Sequence, residues 1–217
     1  SKVLCHYREK ITLTGAQGDK VPGYSYLPKH HKEKKSPAVL FQYGIGDSKD
    51  SEYAVAIGDF FANMGYVVMT IDIAGNGERS GESVSSISKL QDSAVFNRMV
   101  GDYKKAVDYL SSRSEVKADK IGSAGASLGA ITGFKFVAED KRIKSFVAVV
   151  AGGNFSGGFL KIPNDPINFI GQIPPRGLFL INATNDEVIK REWAESLHSA
   201  AGASAEKLWL ETNHTFQ

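Results

Sequence analysis

Ser127 lies in the stretch 120–130, KIGSAGASLGA, at the centre of a G-x-S-x-G pentapeptide made by Gly125, Ala126, Ser127, Leu128 and Gly129. Apolar residues precede the pentapeptide and a helix-compatible run follows it to about Val137. The pattern predicts a strand, a tight turn and a helix, with the serine at the apex of a nucleophile elbow. Such a turn strains the serine backbone, and residues without a Cβ two before and two after it leave the turn room. The Leu128 amide and the helix N-terminus then face the space in which an oxyanion would form. The chemistry this suits is acyl transfer.

A serine hydroxyl is a weak nucleophile and needs a base, and the base needs a group that fixes its tautomer and stabilises its cation. The chain holds five histidines. His6, His30 and His31 precede the core strands, and His198 falls inside a predicted helix. His214 alone follows a late strand in a loop, so it is the candidate base. Asp186 follows a strand just before a helix and is the candidate acid, with neighbouring Glu187 as its rival. In a chain with 22 glycines the pentapeptide could arise by chance; the serine, acid and base together give it weight.

These residues need a scaffold. Segments 9–13 and 21–27 read as an antiparallel hairpin about a polar turn. Buried strands are predicted over 37–43, 66–73, about 120–124, 145–151 and 178–183, with a short last strand at 208–210. Helical periodicity marks 51–64, 93–112, the elbow helix to about 139 and 190–201. Strands alternating with helices imply a mostly parallel sheet with helices on both faces, and ligands in such sheets sit beyond the carboxyl ends of the strands. Ile45, Ser127, Asp186 and His214 each follow a strand and so share that end.

Four motifs carry a family resemblance over essentially the whole chain. GASLG at 125–129 resembles the elbow of the α/β-hydrolase superfamily, and YGIG at 43–46 its HG-x oxyanion loop, with Tyr43 where histidine is common. DIAGNGERSG at 72–81 resembles the D-x-x-G-x-G turn, and NATNDEV at 182–188 with TNH at 212–214 the acid and base loops. The order Ser127, Asp186, His214 is that of the superfamily. The resemblance implies one α/β-hydrolase domain over 1–217, with a mostly parallel eight-stranded sheet and a small or absent cap. Ser127 would be nucleophile, His214 general base and then acid, Asp186 its partner, and the amides of Leu128 and Ile45 the oxyanion hole. The compact build is similar to dienelactone-hydrolase-like enzymes and acetyl esterases. The former commonly use cysteine, and the serine here directs the reading to ester hydrolysis. The chain stops three residues after His214, where family members continue into a last helix; the sheet edge this would leave open is a surface on which a homodimer could form.

Other residues have quieter expected roles. Ser123 precedes the turn and is read as buried and hydrogen-bonded. Asp72 is read as tying down its own glycine-rich turn, and Asp47 and Asp50 as ordering the oxyanion loop. Glu78 and Arg79 are read as paired or solvated, with Arg79 reading an acidic substrate as the less favoured alternative. Phe155, Phe159, Ile162, Ile167, Phe169 and Ile170, in the stretch 152–177, are expected to line a small acyl flap or to pack beneath a loop. His30 and His31 lack a completing ligand cluster, so no metal is called for, and the triad chemistry needs no cofactor.

Bulk properties narrow the partners. A net charge of +2 gives no electrostatic case for nucleic acid, and no apolar run approaches the ~20 residues of a membrane span. The single cysteine, Cys5, excludes an internal disulfide. With no apolar h-region at the start, a cytoplasmic setting is favoured, export after signal removal being the alternative. The reading is a serine hydrolase of small, fairly neutral carboxylic esters. An amidase or peptidase using the same triad, and a non-catalytic binding protein on the same fold, are the alternatives.

Overall fold

The computed structural model describes residues 6–81, 92–158 and 162–217. Strands β1 (His6–Thr14) and β2 (Lys20–Pro28) form the opening hairpin, paired antiparallel from His6–Pro28 to Thr14–Lys20. Six further strands follow: β3 (Ser36–Gln42), β4 (Val67–Ile71), β5 (Val116–Ala126), β6 (Ile143–Val149), β7 (Gly177–Ala183) and β8 (Glu206–Leu210). The helices are α1 (Glu52–Asn63), α2 (Ser93–Ser112), α3 (Leu128–Glu139) and α4 (Arg191–Ala201).

The eight strands form one sheet in the order β1-β2-β4-β3-β5-β6-β7-β8. Pairings β1–β2 and β2–β4 are antiparallel; the other five are parallel. The mostly parallel eight-stranded sheet expected from the sequence is thus present. Every residue of β4 is buried, as an unbroken apolar run requires when both faces are covered. The crossover through α1 runs from β3 back to β4, whereas those through α2, α3 and α4 advance toward β8. Right-handed crossovers therefore put α1 on one face and the other three helices on the opposite face.

Strand β5 starts at Val116, earlier than the apolar pattern indicates, because Val116 already pairs with Ser36. Residues 117–120 lie in the register shift between the Val116–Ser36 and Ile121–Ala38 pairs, so no alternating apolar pattern marks this part of the strand. Helix α3 is the centrepiece: all its residues except Lys135 and Glu139 are buried. Phe134 meets Phe146 of β6 edge-on at 5.2 Å, and Phe136 meets Tyr103 of α2 at 5.6 Å. Burying each such ring is worth about 1.5–3 kcal/mol, so the helix behind Ser127 is anchored firmly. No α-helix occurs among the described residues between β6 and β7, where two 3-10 turns lie at Pro166–Asn168 and Ile170–Gln172. No helix of the described residues is long and apolar enough to cross a membrane.

Candidate active site

Ser127 sits between β5 and α3 at φ 51° and ψ −116°, the strained conformation the pentapeptide predicts. The flanking glycines are sterically required. A Cβ on Gly129 would lie 2.2 Å from the Gln42 carbonyl oxygen, and one on Gly125 would lie 2.7 Å from the backbone of Gly129 and Ala130. The Ser127 N–H donates to the Val149 carbonyl at 2.9 Å, and the Ser127 carbonyl accepts from Ile131 N–H at 2.9 Å, which locks the turn to β6 and to the helix.

Pairing between β7 and β8 continues past the strand ends. Thr184 N–H donates to the Leu210 carbonyl at 2.9 Å, and Asn185 N–H to that of Thr212 at 3.0 Å. This brings the loops of Asp186 and His214 side by side. His214 Nδ1 lies 2.9 Å from Asp186 Oδ1 and 2.8 Å from Oδ2, and Nε2 lies 3.1 Å from Ser127 Oγ. With the carboxylate accepting at Nδ1, the ring proton belongs on that nitrogen and the Nε2 lone pair faces the serine hydroxyl. Asp186 is itself held, since Oδ1 accepts from the N–H groups of Val188 (2.9 Å) and Ile189 (2.8 Å). Glu187, the rival acid, accepts the His214 backbone N–H at 3.3 Å and does not touch the ring nitrogens. The Asp186 side chain is 4% exposed and that of His214 13%, so the pair is shielded.

Ile45 follows β3 in the loop that passes Ser127: a Cβ on Gly44 would lie 3.5 Å from the Ser127 Cβ. Gly44 N–H donates to the Tyr53 hydroxyl at 2.8 Å, and that hydroxyl donates to Asp47 Oδ2 at 3.0 Å. Asp47 also accepts from Ser51 Oγ at 3.1 Å, and its carbonyl accepts from Asn76 Nδ2 at 2.7 Å. Asp47 thus orders this loop, as expected. Neither the Ile45 nor the Leu128 N–H has a hydrogen-bond partner among the described residues. Tyr53 is absent from the sequence reading because it falls in the apolar periodicity of α1, which hides its hydroxyl's task. Burial, with the nearby Asp47 carboxylate, pushes that hydroxyl well above the ordinary phenol pKa.

Beneath the loop lies a charged cluster. Asp72 is fully buried; it accepts the Lys49 N–H at 2.9 Å, the Glu78 N–H at 3.0 Å and the Tyr43 hydroxyl at 3.3 Å. It therefore ties down its own turn and also the loop after β3. The oxygens of Asp50, Asp72 and Glu78 fall within 4.8 Å of one another, an arrangement able to hold a cation. The cation among them is the Lys49 ammonium, at 2.7 Å from Asp50, 3.1 Å from Asp72 and 2.7 Å from Glu78. Burial opposes its charge, but the hydrogen bonds to Asp50, Glu78 and Asp72 outweigh that and hold its pKa above the ordinary lysine value. In the sequence, Lys49 looks like any solvated loop lysine.

The remaining candidates fall into supporting places. Ser123 is buried, donating to Gln42 Oε1 at 2.9 Å. Glu78 pairs with Lys10 and Lys49. Arg79 is 4% exposed and binds Asp19 at 2.6 Å and Asp102 at 2.9 Å. It faces those internal carboxylates, which excludes the reading of Arg79 as a group that meets an acidic substrate. His31 Nδ1 is 2.9 Å from the Pro28 carbonyl oxygen, and His30 pairs with Glu33 at 3.2 Å.

The stretch 152–177 divides. Ile170 is 1% exposed in the core, and Phe169 lies beneath the Lys135 ammonium. Phe155 instead stands 5.3 Å from Trp193 at 88°, and the two line an open pocket of about 360 Å³ beside Lys190. Buried Asp165 shapes this wall by accepting the N–H groups of Asn154 (2.8 Å), Phe155 (2.9 Å) and Ile167 (3.0 Å). Phe159 lies outside the described residues.

Comparison with known proteins agrees with this architecture. Residues 21–216 match the dienelactone hydrolase family, and the chain belongs to that family of α/β-hydrolases. YtaP of Bacillus subtilis (strain 168) is 35% identical over 140 residues, covering 58% of this chain and 46% of YtaP. The chain spans less than half the length of the curated relatives it matches. Among solved structures, a cold-adapted esterase from an Arctic intertidal metagenomic library superposes with a TM-score of 0.77 at 20% identity, covering 99% of this chain and 88% of that one. The Pyrococcus furiosus esterase Pf2001 gives 0.76 at 20%, covering 97% and 85%. At these identities the likeness is one of fold, and the fold is that of the α/β-hydrolases.

Proposed function

We propose that this member of a hydrolase family cleaves small carboxylic esters through Ser127, His214 and Asp186. The observation that carries the reading is the unbroken chain of contacts from Ser127 Oγ to His214 Nε2 (3.1 Å) and from His214 Nδ1 to Asp186 (2.8 Å). Ser127 Oγ attacks the acyl carbon as its proton passes to Nε2. The carbonyl oxygen, now an oxyanion, takes hydrogen bonds from the N–H groups of Leu128 and Ile45. The imidazolium, stabilised by Asp186, protonates the departing alcohol. Water then gives its proton to the same nitrogen as it attacks the acyl carbon; the bond to Ser127 Oγ breaks, Oγ takes that proton back from Nε2, and the acid leaves. Asp186 keeps the imidazole in the tautomer that accepts from serine throughout. The near-neutral net charge suits a small, uncharged substrate.

The test is hydrolysis of p-nitrophenyl acetate and butyrate, and of a matched p-nitroanilide, by the protein and its Ser127→Ala variant. Ester turnover should fall by about three orders of magnitude or more in the variant, with the anilide cleaved far more slowly than the esters. Undiminished activity in the variant would remove Ser127 from the mechanism, and anilide rates near the ester rates would make the enzyme an amidase.

A further inference from the structure

The loop from Gly44 to Asp50 carries the Ile45 amide, and its two ends are held in different ways. At the front, Gly44 N–H is bound by the Tyr53 hydroxyl at 2.8 Å. That contact uses up the Gly44 donor and leaves the Ile45 amide as the next donor of the loop without a hydrogen-bond partner among the described residues. At the back, Lys49 grips Asp72 twice: its backbone N–H meets Oδ1 at 2.9 Å and its ammonium meets Oδ2 at 3.1 Å. Asp72 belongs to the turn after β4, and Tyr43, the last residue before Gly44, donates its hydroxyl to the same carboxylate while accepting Ile73 N–H at 2.9 Å. The Lys49 side chain has no exposed surface, and its other partners are the partly exposed Asp50 and Glu78. A loop closed only by surface contacts would not require a buried lysine. The Lys49–Asp72 pair, with neither side chain exposed, is costly to part, because separation leaves two desolvated charges.

From this the geometry points to Lys49 as a positioning residue for the oxyanion loop, one that never meets substrate but sets where the Ile45 amide points. The inference rests on the ester-hydrolase reading of Ser127 and on the oxyanion role of Ile45. Lys49 acts through Asp72 at one end of the loop as Tyr53 acts through Gly44 at the other. Loosening either end lets the Ile45 N–H drift from the place where the oxyanion forms. Such a shift weakens binding of the transition state while leaving binding of the uncharged ester nearly intact.

The experiment compares Lys49→Met, Lys49→Arg, the double variant Lys49→Met/Asp72→Asn and Tyr53→Phe with the wild type. Active sites are titrated with a fluorophosphonate, so that kcat refers only to folded, labelled protein, and unfolding is followed by circular dichroism. Lys49→Met should lose roughly ten- to hundredfold in kcat per titrated site, with KM within about threefold of wild type. Lys49→Arg should recover most of the loss. The double variant, which removes the stranded carboxylate, should regain thermal stability but not kcat, and it stands in if Lys49→Met does not fold. Tyr53→Phe should lower kcat in the same way. A wild-type kcat per titrated site in the double variant and in Tyr53→Phe would overturn the proposal. Failure of the underlying reading looks different: neither the fluorophosphonate nor the ester would then depend on Ser127 in the Ser127→Ala control.

Discussion

Two adjacent carboxylates, Asp186 and Glu187, compete on paper for the same histidine. The side chain of Asp186 reaches both the His214 ring and the N–H groups of Val188 and Ile189, while Glu187 reaches only the His214 main chain. Asp186 is therefore fixed in place and shielded, and Glu187 is exposed. Asp186→Asn should lower kcat by roughly three to four orders of magnitude, because an amide can donate to Nδ1 and favour the wrong tautomer. Glu187→Gln should change it by no more than about threefold, a surface hydrogen bond being worth little. Steady-state ester hydrolysis of both variants decides the matter, and the reverse ranking would transfer the acid role to Glu187. Lys49 and Tyr53 illustrate the same scale from the other side. Their residue types are unremarkable, and their tasks come only from what their polar atoms meet.

Helix α4 docks against β7, the strand that leads to Asp186. Its inner face carries His198, 7% exposed, whose Nε2 lies 2.9 Å from Asn182 Oδ1 on β7. The Asn182 amide in turn donates to the Ala151 carbonyl at 2.8 Å, so the contact links α4, β7 and the exit of β6. Trp209 of β8 lies against the imidazole at 4.9 Å, with the Arg191 guanidinium over the indole at 3.7 Å. Burial, and then the charges of Lys207 and Arg191, push the His198 pKa below its usual 6.5. The unfolded chain therefore takes up this proton first as pH falls through about 6.5. The contribution of neutral His198 is complete above that pH and is lost progressively below it. Melting temperature should thus fall between pH 7 and pH 5.5 more steeply in the wild type than in His198→Gln, whose amide can still donate to Asn182. Equal slopes would show that His198 does not couple to folding.

At the scale of the whole molecule, one ionic network joins parts of the chain far apart in sequence. Arg79 after β4 binds Asp102 of α2 at 2.9 Å and Asp19 of the opening hairpin at 2.6 Å, and Arg98 of α2 binds Asp19 at 2.8 Å. Asp102 is fully buried and also accepts the Ala16 N–H at 2.9 Å. The network fastens the antiparallel hairpin to the parallel body beside the turn that holds Asp72. Asp102→Ala should cost about 3–5 kcal/mol in urea unfolding, because it removes the fully buried carboxylate partner of Arg79 and the acceptor of the Ala16 N–H. Breaking the exposed Arg191–Glu195 pair, at 2.6 Å, should cost no more than about 0.5 kcal/mol. A cost for Asp102→Ala as small as that of the surface pair would mean the network is dispensable.

Local pattern made most of the framework legible. Apolar runs and periodicity mark the strands and helices, and the elbow announces itself because only glycine fits at 125 and 129. Chain order then singles out His214, since no other histidine follows a strand at the right end of the sheet. Partners brought together by folding were beyond such reading. Whether Asp186 or Glu187 meets the ring depends on how the β7 and β8 loops pair. Arg79 turns inward because Asp19 and Asp102 arrive from positions 60 residues before it and 23 after it. The start of β5 is masked because a register shift separates Val116 from the next paired residue, Ile121. Sequence alone thus determined the framework and the order in which Ser127, Asp186 and His214 follow their strands, since these follow from local sterics and hydrophobic periodicity. Tertiary structure alone decided which polar groups are desolvated together, because that energy depends on distances between segments that share no local pattern.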